Sequence, residues 1–220
     1  MIKYVLIDID GTLLDFEAAV EESLDICAKK HGITLPSDFL EIFHPINNSL
    51  WKRIEKGELD IAGLRKIRFN LIFEASGISY DGEIFEKDFY ACLTNSAIPV
   101  SGALELLAYL SEKYILCAAS NAAHTQQVQR LTKCGMMPYI KHLFTSEKIG
   151  YSKPSENFFK ICLENLGAEK DEVIMIGDSL GADIIGAENF GIISCHFTKS
   201  EPSGIAHYTV SRLTDIKEIL

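Results

Sequence analysis

From Pro99 onward the chain alternates between helix-like and strand-like segments, and that rhythm leaves few folds open. Helical spacing over Ala103 to Leu110 precedes the apolar run Tyr114 to Ala119, and a helix near Thr125 to Cys134 precedes a short strand around His142 to Thr145. A helix over Asn157 to Leu166 leads into Val173 to Ile176, and one over Ala182 to Asn189 into Ile192 to Phe197. A short strand near Tyr208 to Val210 and a helix from Thr214 follow. Strands joined through helical crossovers pair in parallel, and right-handed crossovers place helices on both sheet faces. The predicted class is α/β with a parallel sheet, to which the early apolar strand Lys3 to Ile9 belongs.

Residues 15–97 break this rhythm and read as helix throughout. Phe16, Val20, Leu24 and Cys27 recur at helical spacing, with Gly32 as a stop. Asn47 or Asn48 is the expected cap of a short helix holding Leu50, Trp51 and Ile54. Asp60 caps the next, whose apolar face is Ile61, Leu64, Ile67, Leu71 and Ile72, with Gly77 just past its end. Ile84, Phe85, Phe89 and Leu93 mark a fourth. The expected organisation is a sheet domain of residues 1–14 and 98–220, interrupted by a helical-bundle domain of residues 15–97.

Charge and composition exclude several classes. The 21 Lys and Arg against 31 Asp and Glu give a formal net charge of −10, a poor match for a nucleic-acid polymer. No segment approaches the ~20 apolar residues of a membrane span. The six cysteines form no C-x-x-C pair and sit mostly in apolar segments, which points to free buried thiols, a reducing compartment and a cytoplasmic protein. Nothing in the sequence speaks to oligomeric state.

Polar residues gather just after the predicted strands. Asp8-Ile9-Asp10-Gly11-Thr12 follows the first, Ser120-Asn121 the second, and Gly177-Asp178-Ser179 the one at Val173 to Ile176, with Asp183 five residues beyond Asp178. Lys153-Pro154 lies in the loop after the short strand. A parallel sheet brings these strand ends to one edge, where open α/β sheets bind ligands. Singly, Ser120-Asn121 and Asp178-Ser179 read equally as helix caps, and Lys153 as a solvated side chain. Together, four carboxylates, one lysine and two small polar groups fit a metal-assisted phosphate site. Clustered carboxylates repel, and a hard divalent cation such as Mg²⁺ relieves that.

The series DxDGT, S-N, K-P and GDSxxxD, in this order on a parallel α/β frame, resembles the haloacid dehalogenase-like hydrolase superfamily. The resemblance implies a Rossmann-like core with a helical cap inserted after the first motif, and a small-molecule phosphomonoester as substrate. It implies Asp8 as the nucleophile that forms an aspartyl-phosphate and Asp10 as general acid and then base. It implies Ser120, Asn121 and Lys153 as the phosphate-binding groups, and Asp8, the carbonyl of Asp10, Asp178 and Asp183 around Mg²⁺. A carboxylate 4 Å from one phosphate charge meets about 4 kcal/mol of repulsion at an effective dielectric of 20, so cations are needed for it to approach a dianion. Asp10 favours phosphoester chemistry over dehalogenation, which has no alkoxide to protonate.

Within the superfamily, Asn48-Ser49-Leu50-Trp51, Glu55-x-Gly57-Glu58-Leu59, Arg68-Phe69 and Ser146-Glu147-Lys148-Ile149-Gly150 are similar to the pyrimidine 5′-nucleotidase branch. Ala122 stands where branch members commonly have glycine. By that resemblance Asn48, Trp51 and Arg68 are the candidate substrate-binding residues of the cap. Trp51 reads either as a base-stacking platform or as bundle core. Sugar-phosphate or general metabolite phosphatases, and a β-phosphoglucomutase-like phosphotransferase, share the same Asp pair.

Overall fold

A computed structural model describes residues Met1–Leu220. They fall into two compact units, Met1–Phe16 with Ala97–Leu220, and Glu17–Ser96.

The first unit is built on six strands: β1 (Tyr4–Ile7), β2 (Ile115–Ser120), β3 (His142–Thr145), β4 (Val173–Gly177), β5 (Ile193–Phe197) and β6 (Tyr208–Val210). They pair in parallel in the order β3-β2-β1-β4-β5-β6. This is the parallel α/β sheet expected from the alternation. Its helices are α5 (Ala103–Ser111), α6 (His124–Lys133), α7 (Ser146–Ile149), α8 (Glu156–Leu166) and α9 (Gly186–Phe190).

Residues of the central strands alternate between two cores, as the period of two requires. Val5, Ile7, Leu116, Ala118, Ile174 and Ile176 pack with Leu106, Leu107 and Leu110 of α5 and with Leu213 and Ile216. Leu6, Cys117, Ala119, Val173 and Met175 pack with Phe158, Phe159 and Cys162 of α8. Both faces of these strands are apolar because both are covered. Each fully buried aliphatic or aromatic side chain contributes about 1.5–3 kcal/mol. All six cysteines are free, and burial pushes the Cys117 and Cys195 thiols up to about 12. No helix is long and apolar enough to cross a membrane.

The second unit holds α2 (Phe39–Glu55), α3 (Ile61–Ser76), α4 (Gly82–Asn95) and nearly all of α1 (Phe16–His31). Asp60 accepts from Gly63 N at 2.6 Å to start α3, and Asp81 accepts from Glu83 N and Ile84 N to start α4. The core is a ring cluster in which Phe69 lies 4.7 Å from Phe85 and 4.9 Å from Phe89, centroid to centroid.

Two expectations fail here. The helix expected to begin at Asn47 or Asn48 instead begins at Phe39 and runs through Pro45. A mid-helix proline costs about 3 kcal/mol. Burial of Phe39, Phe43, Asn47, Leu50 and Ile54 along one face offsets it. The apolar face expected for α3 is shifted: Leu71 is 40% exposed, because Phe69 and Phe73 set the buried face together with Leu64 and Ile72. In the first unit, the stretch expected as one helix from Ala182 starts as a wide turn, with Ile184 N donating to Ser179 O, before α9. The stretch after Thr214 closes in tight 3₁₀-type turns over Leu213–Glu218.

Arg68 and Glu86 form a buried ion pair inside the bundle. Arg68 Nε and Nη2 donate to the two Glu86 carboxylate oxygens at 3.0 and 2.7 Å, and Nη1 donates to Asn47 at 3.0 Å. Burial pushes the Glu86 carboxyl up, against the pull of Arg68. Breaking such a pair strands a charge. Glu86→Ala is therefore expected to destabilise this unit by about 3–5 kcal/mol in chemical denaturation, and Arg68→Met with Glu86→Leu to recover most of that loss. An unchanged midpoint for Glu86→Ala would show that the pair contributes little.

Candidate active site

β1, β2 and β4 are neighbours, and their C-terminal ends carry the polar residues. Ile7 is in register with Ala118 and Ile176, so Asp8 emerges beside the ends of both flanking strands. The strand order reverses its direction of growth at β1, which opens a crevice at that edge.

Lys153 is the centre of the cluster. It is 1% exposed, and its Nζ donates at 2.6 Å to each of Asp8 Oδ1, Asp183 Oδ1 and the Ala119 carbonyl. An ammonium has three donors, and all three are used. Its loop is tied down by Asn121, whose side chain donates to Lys153 O at 2.9 Å and accepts from Lys153 N at 2.8 Å. Asn121 thus holds the loop that delivers Lys153. Asp183 is fixed through Oδ2 by Ser179 N at 3.1 Å, within the wide turn. Thr12, fully buried, donates to Asp178 Oδ1 at 3.1 Å.

Two glycines permit the crowding. Gly11 has φ +89°, and a Cβ there would lie 2.4 Å from Asp178 Oδ2. A Cβ on Gly177 would lie 2.2 Å from Asp183 Oδ2. Ala122, by contrast, has no positive φ and donates its N–H to Ser120 Oγ at 3.1 Å, so its methyl is accommodated.

The carboxylates crowd one another. Burial raises Asp8 well above the usual carboxylate range; Lys153 pulls it down and Asp183 and Asp178 push it up again. Desolvation and then the Asp183 charge raise Asp178 to about 7. For Lys153, burial disfavours the ammonium, but Asp183 and Asp8 outweigh it and hold its pKa above the ordinary lysine value. Oxygens of Asp8, Asp178 and Asp183 lie within 4.8 Å of one another. An all-oxygen donor set with an excess of negative charge fits a hard cation such as Mg²⁺.

The family model for haloacid dehalogenase-like hydrolases matches residues 2–191. The chain belongs to this family. It is 36% identical to the pyrimidine 5′-nucleotidase PynA of Streptococcus pneumoniae, over 86% of this chain and 81% of that one. It is 26% identical to the pyrimidine 5′-nucleotidase YjjG of Escherichia coli, over 99% and 97% of the two chains. A crystal structure of the hydrolase YfnB of Bacillus subtilis, bound to magnesium, superposes with TM-score 0.95 at 28% identity and covers 100% of this chain and 98% of that one.

In this haloacid dehalogenase-like hydrolase, Asp8, Ser120, Lys153, Asp178 and Asp183 come together at one sheet edge. Asp10 lies beside them, but its carboxylate is not among the three clustered oxygens; it is engaged by Gln127 and Arg130. Sequence reading missed those two residues. Their signal was the Gln-x-x-Arg spacing on a helix that directly follows Ser120-Asn121, which puts both on one face. On the helical unit, Asn48 is exposed, and Trp51 packs part-buried against Leu50, Ile54 and Leu64. Arg68, read from sequence as facing a ligand, is instead 3% exposed and held by Glu86 and Asn47. Charge with no buried partner in sight looks available; the partner lies on another helix.

A carboxyl whose folded pKa is raised keeps protons that the unfolded chain releases. Its contribution is fully present below the unfolded value of 3.8 and is lost as pH rises through about 7. The metal-stripped protein is therefore expected to lose thermal stability between pH 5 and pH 8. Added Mg²⁺ should raise Tm more at pH 8 than at pH 5, because it binds the ionised carboxylates. A Mg²⁺ shift that is equal at both values, or absent, would argue against a cation among these three residues.

Proposed function

We propose that the chain is a Mg²⁺-dependent phosphomonoesterase working through an aspartyl-phosphate on Asp8, with small pyrimidine nucleoside monophosphates as its substrates. The observation that carries the reading is the buried Lys153 ammonium between Asp8 and Asp183, with a second acid, Asp10, two residues past the nucleophile. The likeness to PynA and YjjG supports the nucleotide part of the reading.

Asp8, Asp178 and Asp183, with the carbonyl of Asp10, would hold Mg²⁺. When bound, the ion supplies positive charge that offsets the phosphoryl oxygens. Lys153 occupies Asp8 Oδ1, which leaves Oδ2 to attack phosphorus. The bond from phosphorus to the leaving oxygen breaks, and that oxygen takes a proton from Asp10. A water then attacks phosphorus and gives its proton to Asp10, the bond to Asp8 breaks, and inorganic phosphate leaves. Ser120 and Lys153 hold phosphoryl oxygens. Asn121 serves by holding the Lys153 loop. We assign substrate selection to the helical unit, where Asn48 is exposed and Trp51 part-buried.

Asp8→Asn is expected to lower turnover to below about one-thousandth of wild type, and Asp10→Asn to lower kcat by about 10²–10⁴-fold, with folding retained by circular dichroism. A panel of UMP, CMP, dTMP, AMP and hexose phosphates with Mg²⁺, and with EDTA, tests the substrate. Preference for hexose phosphates over the nucleotides would reject the nucleotidase reading, and an active Asp8→Asn variant would reject the nucleophile.

A further inference from the structure

Beside the motif residues lies a second polar layer made by α6. Its buried face carries Gln127 and Arg130, which are 0% and 1% exposed, and Arg130 heads the fully buried side chains by volume. Gln127 Nε2 donates to Asp10 Oδ2 and, at 2.9 Å, to Ser120 Oγ. Arg130 Nη1 donates to Asp10 Oδ1 and, at 3.3 Å, to Gln127 Oε1. The aliphatic core accounts for neither residue, since a buried guanidinium costs free energy without partners.

The chemistry of the groups sets the direction of every bond in this layer. A guanidinium only donates, so Gln127 turns its Oε1 to Arg130 and its NH₂ to the other side. That NH₂ has two hydrogens, and each has an acceptor: the Asp10 carboxylate and Ser120 Oγ. Ser120 Oγ also accepts from Ala122 N at 3.1 Å. A hydroxyl has two acceptor lone pairs and one donor. With both lone pairs engaged, the Ser120 O–H is left to donate outward. Both oxygens of Asp10 are gripped, so the carboxylate has one orientation.

We propose that Gln127 and Arg130 are positioning residues: together they orient the Asp10 carboxylate for proton transfer to the leaving group and turn Ser120 into a donor toward the phosphoryl oxygens. The proposal deepens the phosphomonoesterase reading and rests on it. It assigns the pair no contact with substrate. The layer also links two tasks, because the same amide touches the group that handles the leaving oxygen and the group that holds phosphate.

The test separates Asp10 from phosphate binding. kcat/KM reports the steps up to departure of the leaving group. UMP loses an alkoxide that needs a proton, whereas p-nitrophenyl phosphate loses a phenoxide that needs little help. The ratio of kcat/KM for UMP to that for p-nitrophenyl phosphate cancels any loss common to both, including weaker phosphate binding through Ser120. In Gln127→Met and Arg130→Met that ratio is expected to fall by about 10²-fold relative to wild type, the scale of a small misplacement of a catalytic group. Arg130→Lys, which keeps the charge, should recover part of the ratio. An unchanged ratio would overturn the proposal for Asp10, and unchanged kcat/KM for both substrates would overturn it for Ser120 as well. Should Arg130→Met not fold, Gln127→Met, close in volume and uncharged at the same point, decides. Should the wild type turn over neither substrate, the phosphomonoesterase reading has failed on its own; a crystal structure of Gln127→Met then reads the positioning directly. There, Asp10 turned away from Arg130 supports the proposal, and Asp10 unmoved overturns it.

Discussion

A single ammonium group holds the edge of this sheet together. Lys153 is shut away from water with its three donors on Asp8, Asp183 and a main-chain carbonyl of β2. Such a charge is tolerable only with all its partners in place, and each partner belongs to a different strand end. The constraint spreads outward from there. Asn121 must grip the Lys153 backbone at both N–H and C=O. The chain after β4 must open into a wide turn so that Ser179 N can fix Asp183. Gly11 and Gly177 must lack side chains so that Asp178 and Asp183 can approach. The motif residues thus form one electrostatic assembly in which carboxylates outnumber the lysine.

The helical unit uses the same device for another end. Arg68 and Glu86 are also a buried pair, but they are surrounded by phenylalanines and face Asn47, not a crowd of carboxylates. There the Glu86 carboxylate is matched by Arg68, with Arg65 3.9 Å away, and no excess of negative charge is left. At the sheet edge three carboxylates meet one lysine, and the excess of negative charge is what a divalent cation can correct. Comparing the two pairs shows why a buried ion pair alone is weak grounds for a functional site.

Much of the fold was legible. Strand and helix alternate from Ala103 with short loops, both faces of the central strands are apolar, and Asp60 marks the start of α3 by its own side chain. Failures occurred where tertiary packing overrode a local rule. A helix start is expected at Asn47 or Asn48, yet a continuous buried face from Phe39 to Ile54 carries α2 through Pro45. Leu71 falls on the apolar face expected for α3, but the phase of that helix is set by the rings of Phe69 and Phe73. The polar layer of Gln127 and Arg130 was hidden for a related reason. Glutamine and arginine on a helix ordinarily face water, and only the position of α6 against Ser120 and Asp10 turns them inward.

The sequence by itself determined the class of fold, the family, and which carboxylates and which lysine the chemistry has at hand, because short motifs at strand ends are local and their order along the chain is the order of the strands. Tertiary structure alone decided who holds whom. Lys153 reaches Asp8 across 145 positions of sequence and Arg130 reaches Asp10 across 120, distances over which no periodicity carries information. Whether a charged residue such as Arg68 or Arg130 looks out to a ligand or in to a buried partner depends on which helix lies against it, and that is set only when the elements pack.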